Sequence, residues 1–374
     1  MEMNRLKFID RMSQGRVSRR DVMRSAAAFG VGMMVMPTRS RAEEQLTVME
    51  WSGYDVPDFF KSYVDKYGSP PAFSIFANED EALQKVRSGF NADAVHPCTY
   101  SVGSFVEAGL TKPIDTARLS HWNDVFEPLK VGNGVVMNGN VVMVPADWGN
   151  SGIAYRTDLV EPDFAANESW AIFTDDRYAG KLSMSDTEAA AEIVGLLLGY
   201  DRKKIFEMSD AELEATRPML EKIVKNSRFL WKDNTEVSQG LASGEIVAAY
   251  AWNETVKSLK AQGVPVTYAQ PKEGIFTWLC GMTLLNTGKA DEAAAYDFLD
   301  AWLSPETGKF MIESFGYGHS NRKSFEIADP AQIAALGITD PIKHLDNGIL
   351  FQPIESARNA KYIKLWEEVK ALKQ

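Results

Sequence analysis

Cysteine and histidine are scarce in this chain, with two and four residues among 374. His96, His121, His319 and His344 are scattered, and no spacing resembles a metal site, so no structural metal is expected. Signatures of catalysis are missing too: there is no Gly-x-Ser-x-Gly elbow, no Walker A loop, no Gly-x-Gly-x-x-Gly fingerprint and no His-Glu-x-x-His. Cys98 has His96 two positions away, but such a pair at a strand end is poor ground for a nucleophilic dyad. The acidic pairs (Asp175/Asp176, Glu367/Glu368) fit helix starts or solvated faces. Neither an enzyme nor a cofactor is expected. Repeats and low-complexity tracts are absent, and no stretch beyond residue 42 is long and apolar enough to span a bilayer.

The first 42 residues differ from the rest. Ser18-Arg19-Arg20-Asp21-Val22-Met23 is a twin-arginine pattern, residues 26–36 form an apolar run, and Ser40-Arg41-Ala42 is a small-x-small cleavage site. The run is about half of the roughly 20 residues that a membrane span needs. It reads as a cleaved Tat-type signal peptide and predicts a periplasmic protein. The leader holds nine basic and three acidic residues, leaving 31 Lys+Arg against 48 Asp+Glu and a net charge of −17. So acidic a body argues against nucleic acid and anionic lipid as partners.

What remains is long enough for two lobes. The 45% hydrophobic and 24% charged content of the whole chain is that of a globular protein rather than a disordered one. Leu46-Thr47-Val48-Met49 reads as a buried strand, residues 57–67 as a helix, and Phe73-Ser74-Ile75-Phe76 as a second strand. Asn78-Glu79-Asp80-Glu81 gives the next helix an acidic first turn, and Ala92-Asp93-Ala94-Val95 is a third short strand. This alternation predicts an α/β fold with a mostly parallel sheet flanked by helices in each lobe. Asn138-Gly139 marks a hairpin, and the Gly-rich stretch 145–152 reads as a crossing between lobes. Further on, 211–225 reads as one amphipathic helix, 246–251 as a buried strand, and 274–285 and 316–321 as two more crossings. The expected division is 43–146 plus 280–320 for the first lobe and 150–275 plus 325–374 for the second.

Aromatic residues recur where predicted strands end: Trp51 and Tyr54, Tyr100, Trp148, Trp252, Trp278. Each alone fits core packing. Together they describe a cage for a cation, in which each ring contributes about 0.5–2 kcal/mol when desolvated.

Several stretches, in order and spacing, resemble the periplasmic spermidine/putrescine-binding proteins of ABC importers: Trp51-Ser52-Gly53-Tyr54; Pro97-Cys98-Thr99-Tyr100; Val144-Pro145-Ala146-Asp147-Trp148-Gly149; Ala251-Trp252-Asn253; Pro271-Lys272-Glu273-Gly274; Phe315-Gly316-Tyr317; and Asn347-Gly348 before Gln352. The resemblance implies a two-lobe periplasmic binding protein that closes like a hinged trap, a monomer that delivers its ligand to an ABC permease in the inner membrane. It implies ligand contacts by Trp51, Tyr54, Tyr100, Trp148, Trp252, Gln352 and, with a one-residue slip, Trp278. Cys98 and Cys280 then fall beside Tyr100 and Trp278, as a disulfide or as two free thiols.

The family's amine-binding carboxylates are largely missing. Gly53 stands where the family has an acid, Thr187 sits between acids that are out of register, and Leu279-Cys280 replaces a third. A primary ammonium buried without acceptors costs several kcal/mol, whereas a methylated onium group donates no hydrogen bond. The expected ligand is therefore a small organic cation or zwitterion, such as a betaine or dimethylsulfoniopropionate, with any carboxylate received by the helix after Ser185. The alternative is a polyamine, putrescine or spermidine, met by Asp147, Glu254 or Asp186. An exported enzyme or a sensor on the same fold is the competing class.

Overall fold

The computed structural model describes residues 45–374 apart from 77, 133, 188, 337, 339 and 374. The twin-arginine pattern, apolar run and cleavage site at 1–42 lie outside the described residues. No helix among the described residues is long and apolar enough to cross a membrane.

Thirteen strands are present among these residues. In chain order they are β1 (Thr47–Trp51), β2 (Ala72–Phe76), β3 (Ala94–Val95), β4 (Val136–Met137), β5 (Asn140–Val141), β6 (Val144–Arg156), β7 (Leu182–Ser185), β8 (Ser227–Trp231), β9 (Ala248–Trp252), β10 (Val266–Tyr268), β11 (Phe276–Leu284), β12 (Gly318–His319) and β13 (Ile349–Leu350). Eleven of them form one sheet in the order β2-β1-β3-β11-β6-β9-β7-β8, with β10 and β12 on β6 and β13 on β11. Strands pair in parallel at both ends, β1 with β2 and β3, and β7 with β8 and β9. In the middle, β6 and β11 run antiparallel to each other and to most neighbours. The chain alternates strand and helix at each end, as an α/β fold requires.

Two large cores flank this middle section. The first takes Val48 from β1, Val144, Ala146 and Trp148 from β6, and Leu279, Met282 and Leu284 from β11. Phe59, Phe298 and Trp302 fill it, with Phe59 stacked on Trp302 at 4.9 Å. The second takes Ile153, Ala154 and Tyr155 from the other half of β6, Phe276 from β11, and Trp170, Phe206 and Tyr250. The C-terminal helix Ser356–Lys370 seals it with Tyr362 and Trp366. Ala328, Leu336 and Ile338 pack into the first core, although the expected boundary assigned everything from 325 onward to the second lobe.

Local chemistry explains the helix ends. Asn78 caps Glu79–Arg87 by accepting from the Glu81 amide, and three acids in the first turn suit the helix dipole. The 138–139 hairpin forms, with φ of 51° at Asn138 and 78° at Gly139. Residues 57–67 are not one helix: a 3-10 turn, Pro57–Phe59, precedes Lys61–Tyr67, because the buried rings of both Phe59 and Phe60 must enter the core. Residues 211–225 likewise split into Asp210–Ala215 and Arg217–Asn226, since Pro218 lacks the amide that would continue the first helix. The stretch 145–152, read as a Gly-rich crossing, is fully extended within β6. Its glycines make room rather than turns: a Cβ on Gly149 would lie 2.8 Å from Cε2 of Trp278, and one on Gly152 at 2.8 Å from Tyr268.

Candidate ligand-binding site

Successive residues of a strand face opposite ways, so β6 presents Asp147, Gly149 and Ser151 on one side and Trp148 and Asn150 on the other. Residues paired across neighbouring strands share a side. Gly149 pairs with Trp278, Ser151 with Trp252, and Asp147 with Cys280. One face of the middle sheet therefore gathers Asp147, Trp278 and Trp252. Tyr317, just before β12, meets Trp278 edge-on at 4.8 Å. Tyr54, in the loop after β1, donates its hydroxyl to Asp147 Oδ2 at 3.1 Å. Glu254 follows β9 in the first turn of Asn253–Ala261. It accepts from Tyr317 at 2.5 Å and from the Asn234 amide at 3.1 Å. Burial first, and then Asp147 for Tyr54 and Glu254 for Tyr317, hold both phenols well above their ordinary range. They stay protonated and act as donors.

His96 lies behind Asp147, fully buried. Its Nδ1 is 2.6 Å from Glu50 Oε1 and its Nε2 is 2.9 Å from Asp147 Oδ1. Burial opposes a charge on the ring, but Glu50 and Asp147 outweigh it and push its pKa up to about 10. Burial raises Glu50 despite the attraction of His96. Glu50 Oε1 also accepts the Trp51 amide at 2.9 Å, while Oε2 has no hydrogen-bond partner among the described residues. The carbonyl of His96 takes the Trp51 indole N–H at 2.8 Å.

The remaining expected residues are placed elsewhere. Trp148 occupies the opposite side of β6, 1% exposed, with its indole N–H on the His319 carbonyl and its ring near Phe325 and His344. Trp51 packs on Phe76 at 4.6 Å. Tyr100 is 40% exposed and meets Phe351 edge-on, next to Gln352; Thr99 bonds the Phe351 carbonyl. Thr187 is exposed and shares a hydrogen bond with Ser185. Its neighbour Asp186 is held by Lys370 at 2.5 Å and by Trp366, with Lys232 at 3.4 Å, so it is committed to an ion pair.

Gly53, read for the acid it lacks, has a backbone reason. The Tyr54 amide bonds the Trp51 carbonyl and Gly53 takes φ of 88°, the third residue of a tight turn that favours glycine. Cys98 and Cys280 are joined in a disulfide that ties the loop after β3 to β11 beside Asp147. Glu50, His96 and Tyr317 were not among the expected contacts. The available signal was Glu50 itself, a charge inside an apolar strand that must find a partner when buried.

The arrangement offers carboxylates, phenolic donors and indole faces on one side of the sheet, which is the equipment for holding an organic cation. Residues 74–337 match the family model described as bacterial extracellular solute-binding protein. The chain is 23% identical over 319 residues to a putrescine/agmatine-binding protein of Pseudomonas aeruginosa, covering 80% of this chain and 84% of that one. It is 23% identical over 307 residues to the putrescine-binding periplasmic protein PotF of Escherichia coli, covering 78% and 82%. Among solved structures, the spermidine/putrescine ABC transporter substrate-binding protein PotD of Streptococcus pneumoniae superposes with a TM-score of 0.75 at 19% identity, covering 88% of this chain and 99% of that one. With more than half of its length in the family model and the two-lobe α/β architecture of such structures, the chain belongs to the bacterial extracellular solute-binding proteins.

Proposed function

We propose that this chain is the capture component of an ABC importer for a small amine cation, a di- or polyamine, exported to the periplasm by the twin-arginine route. It is not an enzyme; it works as a monomer, closing its two lobes on the ligand and passing it to a membrane permease. The lobes correspond to the two cores, joined through β6 and β11. The observation that carries the reading is the pairing of carboxylates with tyrosines at the ring cluster, Asp147 with Tyr54 and Glu254 with Tyr317. These acids supply acceptors that the aromatic loops themselves lack. An ammonium donates up to three hydrogen bonds, and each charge-assisted bond contributes about 1.5–3 kcal/mol. The names of the relatives, putrescine and agmatine among them, support the same ligand class.

An onium zwitterion was the expectation drawn from the missing acids. Two carboxylates among the rings favour the amine instead, because each oxygen keeps a second lone pair for an N–H, which a methylated cation does not carry. Titration calorimetry with putrescine, spermidine, glycine betaine and dimethylsulfoniopropionate separates the two. Saturable binding of the amines, weakened more than tenfold by Asp147→Asn, is expected; binding of the onium compounds alone would sink the proposal.

A further inference from the structure

Three groups in the floor of the site lie in one hydrogen-bonded line: Glu50 from β1, His96 after β3 and Asp147 from β6. All are at most 1% exposed. Both ring nitrogens face carboxylate oxygens, so each contact needs its own proton. A neutral imidazole supplies one. The second is on the ring, making it an imidazolium between two carboxylates, or on a carboxyl beside a neutral ring. The total is the same either way: Glu50, His96 and Asp147 together carry −1. Nothing else facing His96 changes this count. Tyr54, edge-on at 5.5 Å, stays protonated, and Trp302 at 5.1 Å is uncharged. His319, opposite Asp147 on β12, is neutral: its Nε2 bonds the Trp302 carbonyl, and burial lowers its pKa to about 4.

The front of the site adds one more charge, Glu254, whose neighbours Tyr317 and Asn234 are neutral donors. Lys257, one turn further along the same helix, turns away and donates to the Glu313 carbonyl. The site thus holds three carboxylates but only two net negative charges.

We propose that His96 is a positioning and charge-setting residue: it holds Asp147 toward the ligand and cancels one carboxylate, so that the closed site is neutral around an α,ω-diamine and disfavours cations of higher charge. The inference rests on the amine reading above. Burying an unbalanced charge is costly, so a triamine enters with one ammonium unmatched. Removing the ring leaves Glu50 and Asp147 facing each other. Two carboxylates at that range share a proton at low pH and both ionise at high pH, giving a site of −3 that suits a triamine.

The test is calorimetry with putrescine and spermidine, on the wild-type chain and on His96→Gln, at pH 6 and pH 9 in buffers of differing ionisation enthalpy. The wild type is expected to prefer the diamine at least tenfold at both pH values, with no proton exchanged on binding. His96→Gln is expected to release close to one proton per spermidine and none per putrescine at pH 6, and to lose the preference tenfold or more at pH 9. A merely structural role for the ring would weaken both ligands alike and leave the proton count at zero, and that result overturns the inference. The wild-type arm stands even if the variant does not fold. Equal affinity for the two amines there overturns the inference but keeps the amine reading, whereas no binding of either overturns both.

Discussion

Tyr317 gives its hydroxyl hydrogen to Glu254 across 2.5 Å, joining the segment before β12 to the helix after β9. The phenol ring also braces Trp278. One side chain therefore fixes an acid and an indole of the candidate site together. Tyr317→Phe keeps the ring and removes the donor. A hydrogen bond to a charged group contributes about 1.5–3 kcal/mol, so urea unfolding should show a loss of about that size, and amine affinity measured by calorimetry should drop as Glu254 and Trp278 lose their common brace.

The two sides of β6 make different predictions for two tryptophans. Trp252, half-buried at the end of β9, is expected to act on the ligand, and Trp252→Ala should weaken binding more than tenfold. Trp148 is buried in the first core on the other side. Trp148→Ala should cost about 3–5 kcal/mol of stability, read in urea unfolding. Equal effects of both on stability would refute the assignment of faces.

Stability should fall as the solution becomes alkaline. His96 has its folded pKa raised from 6.5 to about 10. A raised group contributes fully below its unfolded value and loses that contribution as pH rises through the folded one. Glu50, also raised, acts with the same sign above its ordinary value. Thermal midpoints recorded from pH 6 to 10.5 should decline across that window, and the decline should be smaller in His96→Gln. A profile flat to pH 10 would contradict the buried ion cluster.

The disulfide closes a loop of 182 residues between Cys98 and Cys280. Long loops gain most from closure, and removal of a native bridge typically costs about 2–5 kcal/mol. Chemical denaturation with and without reductant, or of the doubly substituted Cys98→Ser, Cys280→Ser chain, should show a loss in that range.

Local pattern made much of the fold legible. The alternation of short apolar strands with capped helices marks the α/β class, and Asn138-Gly139 marks its hairpin. Strand-end aromatics pointed to Tyr54, which bonds Asp147, and to Trp252 and Trp278, which share that acid's side of the sheet. Local pattern was misleading where distant residues decide the geometry. Gly149 and Gly152 read only as part of a crossing between lobes, but they are flat places under Trp278 and Tyr268, more than 100 positions later in the chain. Trp148 looked equivalent to its neighbouring aromatics until the direction of β6 separated it from Asp147. The contacts of His96 with Glu50 and Asp147 span 46 and 51 positions. No short motif records such pairings, because they exist only once three strands align. Asp186 looked available from sequence, but Lys370, 184 positions away, neutralises it.

The continuity of β6 has a consequence for how this family can vary. A single residue inserted between Pro145 and Ser151 would rotate everything beyond it by half a turn. Downstream of the insertion indole and carboxylate positions would trade sides, and the gap over Gly149 would no longer meet Trp278. Within β6, drift in ligand preference is thus confined to substitutions, and changes of length are left to the loops that feed it.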